Sequence, residues 1–119
     1  MSPLRSRLPT SELEQLELAA KFFRGLGDPT RLKILELLFA QERTVSELVK
    51  ILGVPQGRVS NHLACLKWCG YVATRPEGRH IHYRIADKRI HKVLALARRM
   101  VADNAARIWA CTRIDQGSP

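Results

Sequence analysis

VPQGRVSNHLACLKWCGY, running from Val54 to Tyr71, is the stretch that decides how the chain folds. At about 100° per residue, Val59, Leu63 and Leu66 fall on one stripe, the i, i+4, i+7 spacing of a helix packed by one face. Pro55 suits a first helical turn, where its missing N–H has no partner in any case, and Gly70 suits the left-handed residue that closes a helix. Together they predict a helix from Pro55 to Cys69. Away from the stripe lie Gly57, Ser60, Asn61 and Ala64, small or hydrogen-bonding side chains that let a helix approach base edges closely. Beside it, Arg58, His62, Cys65 and Cys69 form one row, which sets two thiols on neighbouring turns. Reduced thiols serve packing, redox chemistry or metal binding, and the spacing leaves all three open.

Just upstream, Thr44 and Glu47 make a capping box ahead of Leu48, Ile51 and Leu52, a short helix that ends at Gly53. Two short helices joined across Gly53-Val54-Pro55 fit a helix-turn-helix. Downstream, Tyr71 to Pro76, the turn Glu77-Gly78 and then Arg79 to Ala86 predict a β-hairpin, because Ile81, Tyr83 and Ile85 alternate with His80, His82 and Arg84. Arg75 and Arg79 bracket its tip, placing basic groups where a wing enters a minor groove or holds phosphates. His80 and His82 share one side of the strand and read as solvated or phosphate-contacting. The fold class expected is mainly α with a β-hairpin wing, a winged helix-turn-helix.

Further out, residues 1–10 read as a basic arm without periodicity, and Ser11 with Glu14 caps a first helix carrying Leu13, Leu16, Ala20 and Phe23 to about Arg24. Asp28-Pro29 opens a second helix with Leu32, Leu35, Leu38 and Phe39 on its apolar face. From Asp87 a long last helix carries Ile90, Val93, Leu94, Ala97, Val101, Ala105 and Ile108, a face expected to meet a second copy of the chain. A twofold homodimer would set two reading helices roughly 34 Å apart on DNA. One domain is expected over 11–111, followed by a frayed polar tail over 112–119. Trp68 and Trp109 are expected to be core or interface aromatics.

The chain has 119 residues, enough for one domain, and 20 Lys and Arg against 11 Asp and Glu give a net charge of +9. That balance suits a polyanion such as DNA, or an anionic membrane surface. No apolar run approaches the roughly 18 residues of a spanning helix, and MSPLRSRLPT lacks the apolar core of a signal peptide, so a cytoplasmic protein is expected. Three cysteines, an odd number, argue against a disulfide framework. An enzyme would need His62 and Cys65 as base and nucleophile, and neither a third orienting group nor an oxyanion loop is evident. A protein that merely coats DNA would account for the charge but not for the clustered thiols.

LGDPTRLKILELL, SELVKILGVPQGRVSNHLACLKWCGYV and EGRHIHYRI together resemble the winged-helix repressors of the ArsR/SmtB metal-sensor family, over roughly Leu16 to Met100. The resemblance implies a homodimer that binds operator DNA when metal-free and releases it when metal binds. The residues expected to touch DNA are Gln56, Arg58, Ser60, Asn61 and His62, with Arg75, Arg79 and Arg84 on the backbone or in the minor groove. His62 stands equally close to the thiols and has a second reading there.

Members of that family place their inducer sites on different elements. The third-helix cysteines of the arsenic sensors have no counterpart in Ser46-Glu47-Leu48-Val49-Lys50. The last-helix zinc site, which begins Asp-x-His, keeps Asp87 but has Arg89 in the first histidine position, with Met100 and Asp103 near the later ones. Cys65-Leu66-Lys67-Trp68-Cys69 instead resembles the CmtR-like branch of cadmium and lead sensors, in which two recognition-helix cysteines and a third from the C-terminal region bind metal. Cys111 is the third ligand this implies, from the same subunit or the other, although the N-terminal cysteine of the cadmium sensor is missing. Mercury-responsive repressors form a related group. Three thiolates make a soft site suited to Cd(II), Pb(II) or Hg(II), with no organic cofactor implied. Arg58, His62 and Lys67 are expected to lower the thiol pKa values. A thiol redox switch is the alternative, although neighbouring helical turns hold two cysteines poorly for a disulfide.

Overall fold

A computed structural model describes residues 11–115, so the basic arm over 1–10 and the end of the tail, 116–119, lie outside the described residues. The chain divides into two units between Ala86 and Asp87. The first unit holds α1 (Glu12–Gly25), α2 (Pro29–Ala40), β1 (Arg43–Thr44), α3 (Val45–Leu52), α4 (Gln56–Trp68), β2 (Val72–Glu77) and β3 (His80–Ile85). Short polar side chains start the first three helices by accepting backbone N–H groups that have no partner within the helix. The Ser11 hydroxyl accepts from Glu14 at 3.1 Å, and the Asp28 carboxylate accepts from Thr30 at 2.8 Å and from Arg31 at 3.1 Å. Thr44 and Glu47 cap reciprocally, at 3.2 and 2.9 Å.

The closure of the thiol-bearing helix α4 fixes both its last residue and the direction in which the chain leaves it. Gly70 sits at φ +84°, its N–H donates to the Lys67 carbonyl at 3.0 Å, and the Tyr71 N–H donates to the Leu66 carbonyl at 2.9 Å. This pair of bonds satisfies carbonyls left over at the helix end and turns Tyr71 back beside Leu66. Val59, Leu63 and Leu66 are fully buried, together with Ile34 and Leu35 of α2 and Leu48 of α3. Each such side chain contributes about 1.5–3 kcal/mol on leaving water, so this stripe sets how α4 is rotated.

Some expectations shift. On α2 the expected Leu35 and Leu38 are buried, but Ile34 joins them in the core while Leu32 is 38% exposed, so the buried face is centred on Ile34, Leu35 and Leu38 and leaves out the first turn. The strand β1 has only two residues and no sequence signal, yet Arg43 pairs with Tyr83 and Thr44 with His82, making a three-stranded sheet in the order β1-β3-β2. Glu77 pairs with His80, so the hairpin turns at Gly78-Arg79, one residue later than expected, and Arg79 stands in the turn itself. Alternation identifies the faces of a strand but not where its pairing stops. Trp68 is 91% exposed and takes no part in the core. Helix-turn-helix α3-α4 followed by the β2-β3 wing is a winged helix-turn-helix.

The second unit is α5 (Arg89–Asp115), which continues past Thr112, where the sequence predicts the start of the tail. A kink falls at Asn104 (φ −123°, ψ 18°), whose side-chain amide donates to the Met100 carbonyl at 2.9 Å. Such a bond competes with the helix ladder and bends it. Ile90 and Leu94 are buried, while Val93, Leu96, Met100, Val101, Ile108 and Trp109 remain exposed. Among the described residues no helix is long and apolar enough to cross a membrane.

An L-residue in the left-handed region costs about 1–2 kcal/mol, so Gly70→Ala should destabilise the protein by that amount in urea unfolding. Gly57, helical and with open space where a Cβ would sit, provides the contrast: Gly57→Ala should stabilise by about 0.5–1 kcal/mol. Equal effects at the two positions would contradict this account of the helix end.

Candidate functional site

With its apolar stripe buried, α4 presents two remaining faces. On one, Cys65 is half-buried and Cys69, the residue that ends the helix, is exposed; neither is in a disulfide. The end of α1 closes against this face. A Cβ on Gly25 would lie 3.0 Å from Cε2 of Tyr71 and 3.1 Å from Sγ of Cys69, so any larger residue would press on both side chains and make them give way by a few tenths of an ångström. The Tyr71 hydroxyl donates to the Phe22 carbonyl, and its ring meets that of Phe22 edge-on at 5.2 Å. Burial, then the neighbouring Cys69 and Cys65, push the Tyr71 hydroxyl up to about 12, so it stays neutral.

The Cys69 thiol is pushed up from its ordinary value, first by burial, then by the charge of Cys65 and a hydrogen bond with it, while the Arg31 guanidinium opposes the shift. For Cys69, the lowering expected from Arg58, His62 and Lys67 is not what the structure shows. The opposing cation comes from α2, and Lys67 lines the other face of the helix with Ser60 and Ala64. Two thiols one helical turn apart, one of them open to solvent, fit a chelating pair of soft donors. Cys111 is exposed on α5, and among the described residues no three His, Cys, Asp or Glu side chains are gathered to hold one ion. At the start of α5, Arg89 binds both carboxylate oxygens of Asp87, at 2.6 Å in its shortest contact, and holds that acid down to about 2.

Arg31 does more than face the thiols. Its Nε donates to the Gly25 carbonyl at 2.8 Å, one terminal nitrogen donates to the Arg24 carbonyl at 3.1 Å, and the other lies 3.4 Å from Nδ1 of His62. Nε2 of His62 is 3.9 Å from Oδ1 of Asp28, and its side chain is 15% exposed. His62 thus turns toward the start of α2. Asp28 is held below the usual carboxylate range, chiefly by the Arg31 backbone N–H. One guanidinium therefore ties together the end of α1, the start of α2 and the middle of α4.

On the outward face Gln56, Ser60 and Asn61 are exposed, and Arg58 is exposed on the thiol row. Arg79 and Arg84 are exposed on the wing. Arg75 is held by Glu42 at 3.0 Å and Glu77 at 3.1 Å, and His82 lies 3.3 Å from the same Glu77. A phosphate contact by Arg75 would have to displace those carboxylates. Sequence reasoning missed Gly25, Arg31 and Tyr71. The adjacent helix ends showed in the sequence, but nothing in its periodicity shows a side chain reaching from one helix to another.

Because Arg31 favours the Cys69 thiolate, Arg31→Ala should move the pH profile of Cys69 alkylation by iodoacetamide to higher pH. An unchanged profile would mean that the guanidinium does not act on the thiol.

The family described as "Bacterial regulatory protein, arsR family" matches residues 28–74. Over 98 residues the chain is 48% identical to a protein named probable mercury resistance operon repressor from Streptomyces lividans, covering 82% of this chain and 78% of that one. A solved homodimeric winged helix-turn-helix DNA-binding domain from Mycobacterium bovis, described as a possible ArsR-family regulator, matches with TM-score 0.69 at 32% identity, over 82% of this chain and 91% of that one. The NMR structure of the cadmium metal-sensor CMTR from Mycobacterium tuberculosis matches with TM-score 0.55 at 39% identity, over 64% of this chain and 79% of that one.

Proposed function

Because the chain belongs to the arsR family of bacterial regulatory proteins, we propose that it is a transcriptional repressor released from its operator by a soft metal ion. It acts in the cytoplasm, as a regulator and not an enzyme. The carrying observation is that α4 bears the thiol pair and the outward-facing polar residues on different sides of one rigid element, with Arg31 bonded to the neighbouring helix ends. The repressor is a homodimer, which suits the apolar side chains exposed on α1 (Leu13, Leu16, Phe23) and on α5 (Leu96, Met100). The Mycobacterium bovis domain, named homodimeric, supports the dimer, and the Streptomyces lividans protein, named a probable mercury resistance operon repressor, supports a soft metal inducer.

Gln56, Arg58, Ser60 and Asn61 read bases or position the helix in the major groove, and Arg79 and Arg84 hold the backbone; His62 and Arg75 join them only by leaving their present partners. Cys65 and Cys69 hold Cd(II), Pb(II) or Hg(II), and Cys111 supplies the third thiolate from its own or the partner subunit. Such an ion would supply metal–thiolate bonds that tie these residues together, with the thiol protons released to solvent. Drawing Cys69 toward a third donor pulls the end of α4 away from Gly25 and Tyr71, and the helix loses its register on DNA. A hundredfold drop in operator affinity needs a coupling of only about 2.7 kcal/mol, within the usual allosteric range. By the same linkage, operator DNA weakens metal binding hundredfold.

Reduced protein bound to a duplex selected from a random pool should release it as Cd(II), Pb(II) or Hg(II) is added, in step with thiolate-to-metal absorption. Cys65→Ser and Cys69→Ser should bind the duplex normally and lose release. Release by these variants as by the wild type would refute the site, and release by the oxidant diamide alone would assign the thiols to a redox switch.

A further inference from the structure

The outward face of α4 does not end with the residues so far given a task. Gly57, Ser60, Asn61, Ala64, Lys67 and Trp68 share it at helical spacing, and its far half closes with the wing strand β3 into an open groove of about 490 Å³ lined by Ser60, Ala64, Lys67, Trp68 and Tyr83. Trp68, at 91% exposed, leaves nearly a whole indole in water beside a helix stripe that is fully buried. Aromatic residues carry large apolar area at low entropic cost and concentrate where a partner covers them. No lining residue is acidic. Unlike Arg75, Lys67 has no ion-pair partner among the described residues.

We propose that this groove is a second DNA-contact site that takes the sugar-phosphate strand beside the bases read by the start of α4. The proposal rests on the DNA-binding reading above and adds residues to it. Charge selects the occupant: a groove with an unpaired ammonium, two hydroxyls and no carboxylate, on a chain of net charge +9, suits a polyanionic strand. Ser60 belongs both to the reading face and to the groove, so one strand can pass from one to the other without a break. Lys67 holds a phosphate, the Ser60 and Tyr83 hydroxyls donate to neighbouring phosphate oxygens, and the Trp68 indole covers a deoxyribose. Trp68 and Cys69 are consecutive at the end of the helix. A displacement of Cys69 therefore moves this contact first, before the reading residues a turn or more away.

The chain has two tryptophans, so the test uses Trp109→Phe, in which Trp68 alone emits. Adding the selected duplex to this full-length variant should shift the emission to the blue and shield it from acrylamide. Trp68→Ala should bind the duplex about tenfold more weakly, as loss of the apolar area that the indole covers implies, with Trp68→Phe recovering most of that loss. Lys67→Ala should lower the salt slope of binding by about one. Urea unfolding of Trp68→Ala should match the wild type, since the side chain is not in the core. Unchanged emission together with unchanged affinity would overturn the proposal. So would a blue shift that appears on raising protein concentration without DNA, because the groove would then face a second copy of the chain. If the wild type selects no duplex at all, the DNA-binding reading fails; if it does while Trp68→Ala and Lys67→Ala bind like it, only the groove does.

Discussion

The complete burial of Val59, Leu63 and Leu66 fixes the rotation of α4, and every other property of the molecule's working surface depends on that angle. A helix has little more than three faces to offer. Once one is committed to the core, the thiol row and the outward row are left pointing in set directions, and a rotation of one residue would carry the cysteines into the core or the reading residues out of reach. The left-handed closure at Gly70 completes the constraint. It ends the helix at Cys69 and brings Tyr71 back under it, so the thiol pair sits at an element boundary, where a small displacement costs less than in mid-helix.

Arg31 is what makes that boundary mechanically relevant. Its bonds to the Gly25 and Arg24 carbonyls and its approach to His62 join three helices at one guanidinium, a geometry that its planar fork of donors allows and a lysine would not. The glycine at position 25 keeps α1 close enough for Cys69, Tyr71 and Arg31 to share one neighbourhood. Burial there raises the Cys69 thiol, so a ligand that needs the thiolate must displace its proton, and Arg31 reduces that cost.

On the wing, ion pairs sort the basic side chains. Glu42 and Glu77 hold Arg75 and leave Arg79 and Arg84 exposed, so its cations differ in how readily they meet a phosphate. These pairs are exposed, and exposed pairs are weak. They tune the wing's availability more than they hold its shape, which comes from the β1-β3-β2 pairing.

The sequence contains the first four helices, the caps of the first three and the three rows of α4, because these are local properties: Asp28 ahead of Pro29, Thr44 with Glu47, and Val59, Leu63 and Leu66 at helical spacing each act within a few residues. It also placed the wing strands to within a residue. What it did not contain was β1, whose two residues become a strand only by pairing with β3, and the neighbourhood of the thiols, built from Gly25 on α1, Arg31 on α2 and Tyr71 beyond α4. Trp68 shows the same limit from the other side: by composition it belongs to a core, and only the rotation of α4 turns it into water. Periodicity reports which side of an element is apolar. Which elements meet, and which side chain crosses between them, depends on contacts between residues far apart in the chain, and these exist only once the chain has folded.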